Sequence, residues 1–200
     1  MAVALVAGMF AVPSAGNASE LSTGFGCNAV TGRLGSGHYG LVNEDTFPCQ
    51  SDYFGLDTLD LGIAQITGLE SFTDADYNAA YASAATIVIT VGHVHITLAA
   101  VQSQAAAGCG GLFGTSPYVR SASKVVGLRI NGGAARVITG YTKINVLGLV
   151  VLELNKSTTT NLYPGKLRTQ QALVLSSSTT PGKLVIGEAT AGYSGNPCLT

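Results

Sequence analysis

Short segments rich in Val, Ile and Thr alternate with turn signals over most of this sequence after residue 78, and this pattern restricts the chain to an all-β fold. Turn dipeptides stand at three places: Asn131-Gly132, Pro164-Gly165 and Pro181-Gly182. Asn-Gly tolerates positive φ at both residues, so it predicts a hairpin between residues 125–130 and 134–143. Proline presets φ at one corner of a turn and glycine supplies positive φ at the next. Residues 170–178 and 183–193 are therefore predicted strands.

The other segments predict one sandwich-like domain with an irregular, disulfide-tied N-terminal region. Residues 145–155 are mostly apolar and suit a central strand, and residues 84–106 predict two strands, or one strand bent at Gly92. A short helix is expected over residues 73–82, with Thr73 as its cap. We divide the chain into an apolar segment (1–18), an acidic region (19–78) that is rich in loops over 20–60, and a β-sandwich core (79–200).

Charged residues are sorted by position. Residues 1–76 hold nine acids and one arginine, for a net charge of −8, whereas residues after 110 hold nine bases and two acids, for a net charge of +7. Two patches of opposite sign on one body favour head-to-tail contact between copies. The basic half has no dense Lys/Arg cluster and few interleaved aromatics, so nucleic acid is not expected as a partner.

The overall composition also favours association. Only 10% of the residues are charged, against about 25% in ordinary soluble domains. A surface this poor in charge has little to keep it monomeric. We therefore expect burial against copies of the same chain, or a setting in a cell wall or matrix.

The first eighteen residues are apolar and end in Gly16 and Ala18, at the −3 and −1 positions of a signal-peptide cleavage site. A basic n-region is missing, and the run breaks at Pro13, too early for a transmembrane helix. Two interpretations stay open: a secretory signal, or a retained segment in which residues 2–12 form a strand donated to a neighbouring copy.

Four cysteines, Cys27, Cys49, Cys109 and Cys198, fit an exported protein with two disulfides. No C-x-x-C pair is present, which argues against a zinc ribbon. Three pairings are formally open, and we favour Cys27–Cys49 and Cys109–Cys198.

The residues that could take part in catalysis or metal binding do not form a recognisable motif. His93-Val94-His95 places two imidazoles near each other without a third ligand, so neither a metal nor another cofactor is expected. Asp57 with Asp60, and Asp74 with Asp76, are acid pairs that match neither a calcium loop nor another defined motif. No G-x-S-x-G elbow exposes a serine. Asn17 and Asn155 begin N-glycosylation sequons.

From about residue 79 the chain resembles the choice-of-anchor P family of secreted, β-rich surface proteins. The resemblance is carried by four features: Ala82-Ser83-Ala84, a Val-x-Ser-x-Ala strand (101–105) leading to Cys109, residues 126–132, and a final strand (185–193) leading to Cys198. It implies an exported cell-surface protein and supplies no catalytic residues.

Three functions are therefore considered. The first is an extracellular structural subunit that associates with itself head to tail into a filament, sheath or surface layer, and it is not an enzyme. The second is a secreted carbohydrate- or surface-binding module, for which Tyr39, Tyr53, Tyr77 and Tyr81 are candidate platform residues. The third is a secreted hydrolase that uses acids between Asp57 and Asp76.

Overall fold

The computed structural model describes residues 23–178 and 182–199, which form two antiparallel β-sheets packed face to face. The all-β, sandwich-like prediction is confirmed. The smaller sheet has the order β11-β12-β13-β14-β1-β2. Its strands are β1 (Gly24–Leu34), β2 (Gly37–Val42), β11 (Thr142–Val146), β12 (Val150–Leu162), β13 (Gly165–Ser177) and β14 (Lys183–Ser194).

The larger sheet is an antiparallel meander. Its strands are β3 (Asp52–Asp60), β4 (Ala64–Asp74), β5 (Ala79–Ala84), β6 (Thr86–Val91), β7 (Val94–Leu98), β8 (Ala100–Gly110), β9 (Ser116–Ile130) and β10 (Arg136–Ile138). β5 and β6 pair with successive halves of β4, and β8 and β7 pair with successive halves of β9. Because β6 also pairs with β7 and β5 with β8, position across this sheet follows position along the chain from β3 to β10.

Several local expectations need correction. Residues 23–60, the described part of the region 20–60, are not loop-rich, because β1, β2 and β3 lie there and residues 43–51 form the one long irregular segment among them. The helix expected over residues 73–82 is absent: Thr73 lies inside β4, and its hydroxyl donates to the carbonyl of Gln50 at 2.6 Å. The Asp74 carboxylate instead accepts from the backbone N–H of Asp76 and of Tyr77, at 2.9 and 3.3 Å, and closes a turn into β5.

Other strands differ mainly in their bounds. Residues 145–155 are not one strand, since Leu147 and Gly148 have φ of 54° and 72° and turn β11 into β12. The hairpin after residue 130 exists, but its second arm is only the short β10, and residues from Thr142 join the other sheet.

The turn at Pro164 is confirmed as a hairpin whose corners are Tyr163 and Pro164, because Gly165 already belongs to β13. Gly92 does lie at a turn, between β6 and β7, while the strand predicted over residues 183–193 is confirmed as β14. Pro181 lies outside the described residues.

In each sheet, β-bulges in neighbouring strands lie side by side and form a row across the strands. In the larger sheet Gly68 of β4 lies opposite Ala85, and Gly127 of β9 lies opposite Ala99; both glycines have positive φ. The backbone N–H of each alanine donates to the carbonyl of the residue before the glycine, at 2.9 Å in both cases. Side-chain alternation shifts by one residue at this row, so that Val94, Ile96 and Leu98 are buried before it and Val101, Ser103 and Ala105 after it. In the smaller sheet, the corresponding row is Gly40, Thr31, Gly187, Ala172 and Asn155.

The interior on the two sides of the bulges is different. On one side, large aliphatic side chains such as Ile66, Ile96, Leu128 and Leu173 form the main core. On the other side the buried residues are small: Cys27, Ala29, Val42, Ala80, Ala82, Ala105, Ala107, Ala189 and Ala191. We refer to this second set as the alanine core.

Both predicted disulfides are confirmed. Cys27–Cys49 joins β1 to the irregular segment 43–51, and the backbone N–H of Cys27 donates to the carbonyl of Thr46 at 2.7 Å. Cys109–Cys198 joins the end of β8 to the chain after β14. The first bond therefore fixes an irregular segment to β1, and the second fixes the segment after β14 to the end of β8.

Candidate functional site

The sorting of charge along the sequence becomes a sorting across the sandwich. β3 is the outermost strand of the larger sheet and carries Asp52, Asp57 and Asp60, and Glu44 and Asp45 lie in the segment that precedes it. All five acids are exposed. The carboxylates of Asp52 and Asp60 also accept hydrogen bonds from nearby backbone N–H groups. We call β3 and these five acids the acidic edge.

The opposite edge carries bases. Arg129 lies on β9, Arg136 on the outermost strand β10, and Lys143 on β11, which is the outermost strand of the smaller sheet. All three side chains are exposed. We call these strands and bases the basic edge. β3 and β10 are separated by five strand spacings, or about 24 Å.

Within the described residues only two ion pairs form. Each includes at least one residue whose charge is opposite in sign to most of the charges in its part of the sequence. Arg33, the one early base, pairs with Glu188 at 3.0 Å, and Glu153 pairs with Lys156 at 2.9 Å. A set of eight early acids and eight late bases has no oppositely charged side-chain atom within 4 Å among the described residues. The acids are Glu44, Asp45, Asp52, Asp57, Asp60, Glu70, Asp74 and Asp76, and the bases are Arg120, Lys124, Arg129, Arg136, Lys143, Lys166, Arg168 and Lys183.

The outer backbone of both edges is free for pairing. Apart from the ladder to β4, no backbone hydrogen bond joins residues 53–59 to another described residue. The same holds for residues 142–145 of β11 apart from its ladder to β12. An unpaired row of N–H and C=O groups is a template for another strand.

A second feature is a groove on the outer face of the larger sheet, over the alanine core. Its main cavity has a volume of about 530 Å³ and adjoins one of about 280 Å³, with Tyr81, Gln104 and Ala122 in common. Two rows of side chains cross it from strand to strand: Phe72, Tyr81, Gln104 and Ala122 in one, and Glu70, Ser83, Gln102 and Lys124 in the other. Tyr53 extends the first row beyond Phe72, next to the two cavities.

Aromatic rings occupy one end of the groove. Phe72 and Tyr81 are cross-strand partners whose rings stack with centroids 4.5 Å apart. Tyr53 is the next residue in the row and is 64% exposed. The row therefore presents aromatic surface next to amide and charged groups.

The polar side chains of the groove are not used by the fold. Glu70, Ser83, Gln102, Gln104 and Lys124 make no side-chain hydrogen bond or ion pair with any described residue. Their hydrogen-bonding capacity remains available to a ligand.

Polar residues between the two sheets behave in the opposite way. The Asn155 amide donates to the carbonyls of Ile138 and Gly140 at 2.9 and 3.1 Å, and its oxygen accepts from the Ser123 hydroxyl at 2.7 Å. Gln170 donates to the same hydroxyl at 2.6 Å. Asn155 is buried, so its sequon is a structural feature and not an accessible glycosylation site. Asn17 lies outside the described residues.

The structure separates the four candidate tyrosines. Tyr53 and Tyr81 belong to the aromatic row, Tyr77 is exposed in the turn between β4 and β5, and Tyr39 lies on β2 of the other sheet. Sequence reasoning missed Phe72, Glu70, Gln102, Gln104 and Lys124. Glu70 and Phe72 alternate with buried Leu69 and Ser71, and this local pattern was available as a signal once β4 was recognised.

The candidate metal and acid groups remain dispersed. No group of three or more His, Cys, Asp or Glu side chains suited to a metal ion occurs among the described residues. His93 lies in the turn before β7, and Nδ1 of His95 is 3.3 Å from the hydroxyl of Thr90. Asp57 and Asp60 lie on β3, whereas Asp74 is used in the turn that follows β4.

Among residues 23–178 and 182–199 there is no helix of the length and apolarity that crossing a membrane requires. The two disulfides are compatible with an extracellular protein. Comparison with protein-family models, with curated proteins and with solved structures finds no match to this chain.

Proposed function

We propose that this protein is an extracellular structural subunit that associates with copies of itself head to tail, through contact of the acidic edge of one copy with the basic edge of the next. The observation that carries the proposal is the pairing pattern. The charges out of order form ion pairs within the chain, while the five acids of the acidic edge and the three bases of the basic edge form no ion pair among the described residues.

The charge distribution selects the kind of contact. Two acidic edges repel each other, as do two basic edges, so a symmetric dimer through either edge is disfavoured. An acidic edge and a basic edge attract, and each copy offers one of each. A contact of this heterologous type that does not close on itself gives a filament.

Backbone pairing would supply most of the stability of such a contact. β3 and β11 are both edge strands with free backbone groups, and strand addition satisfies those groups. Exposed ion pairs contribute only about 0–1 kcal/mol each. The charges therefore mainly set the polarity of the contact and the rate of encounter.

Residues 2–12 lie outside the described residues, and their donation as a strand to a neighbouring copy is part of the same proposal. Deleting residues 1–18 should then abolish assembly and leave a folded domain with the same far-ultraviolet circular dichroism. If mature protein begins at Ser19, the donated-strand route is removed and only contact between the edges remains.

The disulfides, the apolar N-terminal segment and the resemblance to choice-of-anchor P proteins support a secreted, cell-surface setting. Association with a cell wall or matrix belongs to the same proposal. Fractionation of the source cells would test it, and recovery in the cytosol with reduced thiols would contradict it.

The decisive experiment exchanges charge between the edges. Reversing three acids, Glu44→Arg, Asp45→Arg and Asp57→Arg, makes both edges basic, and Arg129→Glu with Arg136→Glu makes both edges acidic; none of the five side chains makes an ion pair with a described residue. Each of these two variants alone should remain monomeric by light scattering, and an equal mixture should assemble into alternating filaments visible by electron microscopy.

A matched control reverses charge away from the edges, with Asp76→Arg in the β4–β5 turn and Lys183→Glu at the start of β14. These variants should assemble like the unmodified protein. The proposal fails if the unmodified protein is monomeric at physiological salt, or if the edge variants and the controls assemble equally.

A further inference from the structure

We propose that the groove on the outer face of the larger sheet binds a neutral carbohydrate chain. This inference does not rest on self-association, because the groove lies on the face of the sheet and the proposed contacts lie along its edges. Its residues come from β4, β5, β8 and β9, which pair side by side and hold the side chains on a rigid surface.

The lining matches the chemistry of a sugar ring. A pyranose has apolar C–H faces that pack on aromatic rings, and its rim of hydroxyl groups both donates and accepts hydrogen bonds. Tyr53, Phe72 and Tyr81 provide the aromatic surface, while Gln102 and Gln104 provide amides that donate and accept.

The charges in the groove favour a neutral ligand over an ionic one. Glu70 and Lys124 lie at opposite ends of one cross-strand row, three strand spacings or about 14 Å apart. The main cavity holds one charge of each sign and Arg120 lines the adjoining cavity, so a polyanion such as nucleic acid would meet a carboxylate and a polycation would meet two cationic groups. A lipid or other apolar ligand would leave the amides without partners.

The simplest alternative is that the aromatic pair only stabilises the sheet, as cross-strand aromatic pairs do. That explanation accounts for the Phe72–Tyr81 stack alone. It does not account for five polar side chains that line the same cavity with no partner in the fold, nor for exposed Tyr53 at the end of the row. The second cavity continues from Gln104 and Ala122 along β8 and β9 to Ala106 and Arg120, which suits a chain of several sugar units rather than a single one.

The test uses the full chain and an array of neutral oligosaccharides of hexoses and N-acetylhexosamines of increasing length, together with sulfated polysaccharides as polyanionic probes, followed by titration calorimetry with the strongest hit. Binding should strengthen with chain length and change little with salt. Gln102→Ala with Gln104→Ala should weaken it by about tenfold or more, the loss expected for two hydrogen bonds. Tyr81→Phe should retain binding because it preserves the ring.

Two control variants match the residue types. Gln65→Ala changes an exposed glutamine of β4 outside the groove, and Tyr163→Ala changes a fully exposed tyrosine at a hairpin tip. Both should bind like the unmodified protein. No hit on the array, binding only to polyanions that salt abolishes, or equal losses in the groove and control variants would each overturn the proposal. Running the titrations on the Arg129→Glu, Arg136→Glu variant separates this result from that of assembly.

Discussion

Nη2 of Arg33 lies 3.0 Å from Oε2 of Glu188, and the two residues are 155 positions apart in the sequence. Arg33 is on β1 and Glu188 is on β14, its neighbour in the smaller sheet. Gln171 of β13 donates to the same carboxylate oxygen at 2.6 Å. The one early base is thus paired with a late acid within the smaller sheet, and the five acids of the acidic edge stay exposed at the surface.

Replacing Gly127 by alanine should destabilise the fold by about 2–5 kcal/mol. Gly127 has a φ of 70°, and a Cβ placed there would lie 2.6 Å from the Cβ of Ala99. Left-handed backbone costs a residue with a side chain about 1–2 kcal/mol, and overpacking adds about 1–3 kcal/mol. Urea denaturation followed by circular dichroism measures the change.

Gly92→Ala is the matched control, because Gly92 also has positive φ but open space around it. It should cost only the contribution of the left-handed backbone, about 1–2 kcal/mol. Adding Ala99→Gly to the Gly127 variant should recover part of its stability. Equal losses at Gly92 and Gly127 would show that the contact across the bulge row is unimportant.

Asn155→Gly should destabilise the fold by about 1–3 kcal/mol. Glycine accepts the φ of 54° at this position, so the loss comes from the amide bonds to Ile138, Gly140 and Ser123. Asn155→Ala should cost about 1 kcal/mol more, since alanine is strained there. Asn161→Ala, an exposed position on the same strand, should be neutral in the same denaturation assay. A neutral Asn155→Gly variant would contradict this account.

Removing the Cys109–Cys198 bond with serine at both positions should cost more than removing Cys27–Cys49. The bonds span 89 and 22 residues, and the entropy of loop closure predicts about 4–5 and about 3 kcal/mol. Hydrogen exchange should rise first in residues 195–199, which Cys198 holds against the end of β8. Uniform exchange throughout the chain would argue against that local role, and non-reducing peptide mapping checks the pairing.

Glu153→Gln should reduce stability at neutral pH by up to about 1 kcal/mol. The hydrogen bond from Lys156, together with one from Tyr141, holds the pKa of Glu153 below its ordinary value of 4.5. A lowered pKa in the folded state means that the contribution is present above pH 4.5 and is lost as the pH falls through the lowered pKa. The two stability curves should therefore converge in acid, whereas Glu44→Gln should match the unmodified protein throughout.

Local signals in the sequence were enough for the all-β class and for the strand that follows Pro181-Gly182, because turn residues and β-branched side chains act over a few positions. They failed at the acidic region. There, glycines such as Gly32 and Gly40 are typical of loops, although β1 is stabilised by pairing with β14, far along the chain. The groove escaped prediction for a similar reason, since Phe72 and Gln104 meet only through the pairing of β4, β5 and β8.

The sequence by itself determined the strand class, the most plausible pairing of the four cysteines, and the order of charges along the chain. Only the tertiary structure decided where those charges lie, which of them pair, and which side chains face outward. The physical reason is that strand pairing depends on the burial of side chains against residues that are far apart in the sequence. The bulges at Gly68, Gly127 and Asn155 then shift the inward-facing residues by one position. This shift depends on the neighbouring strands, so the alternation of apolar and polar residues in the sequence does not predict it.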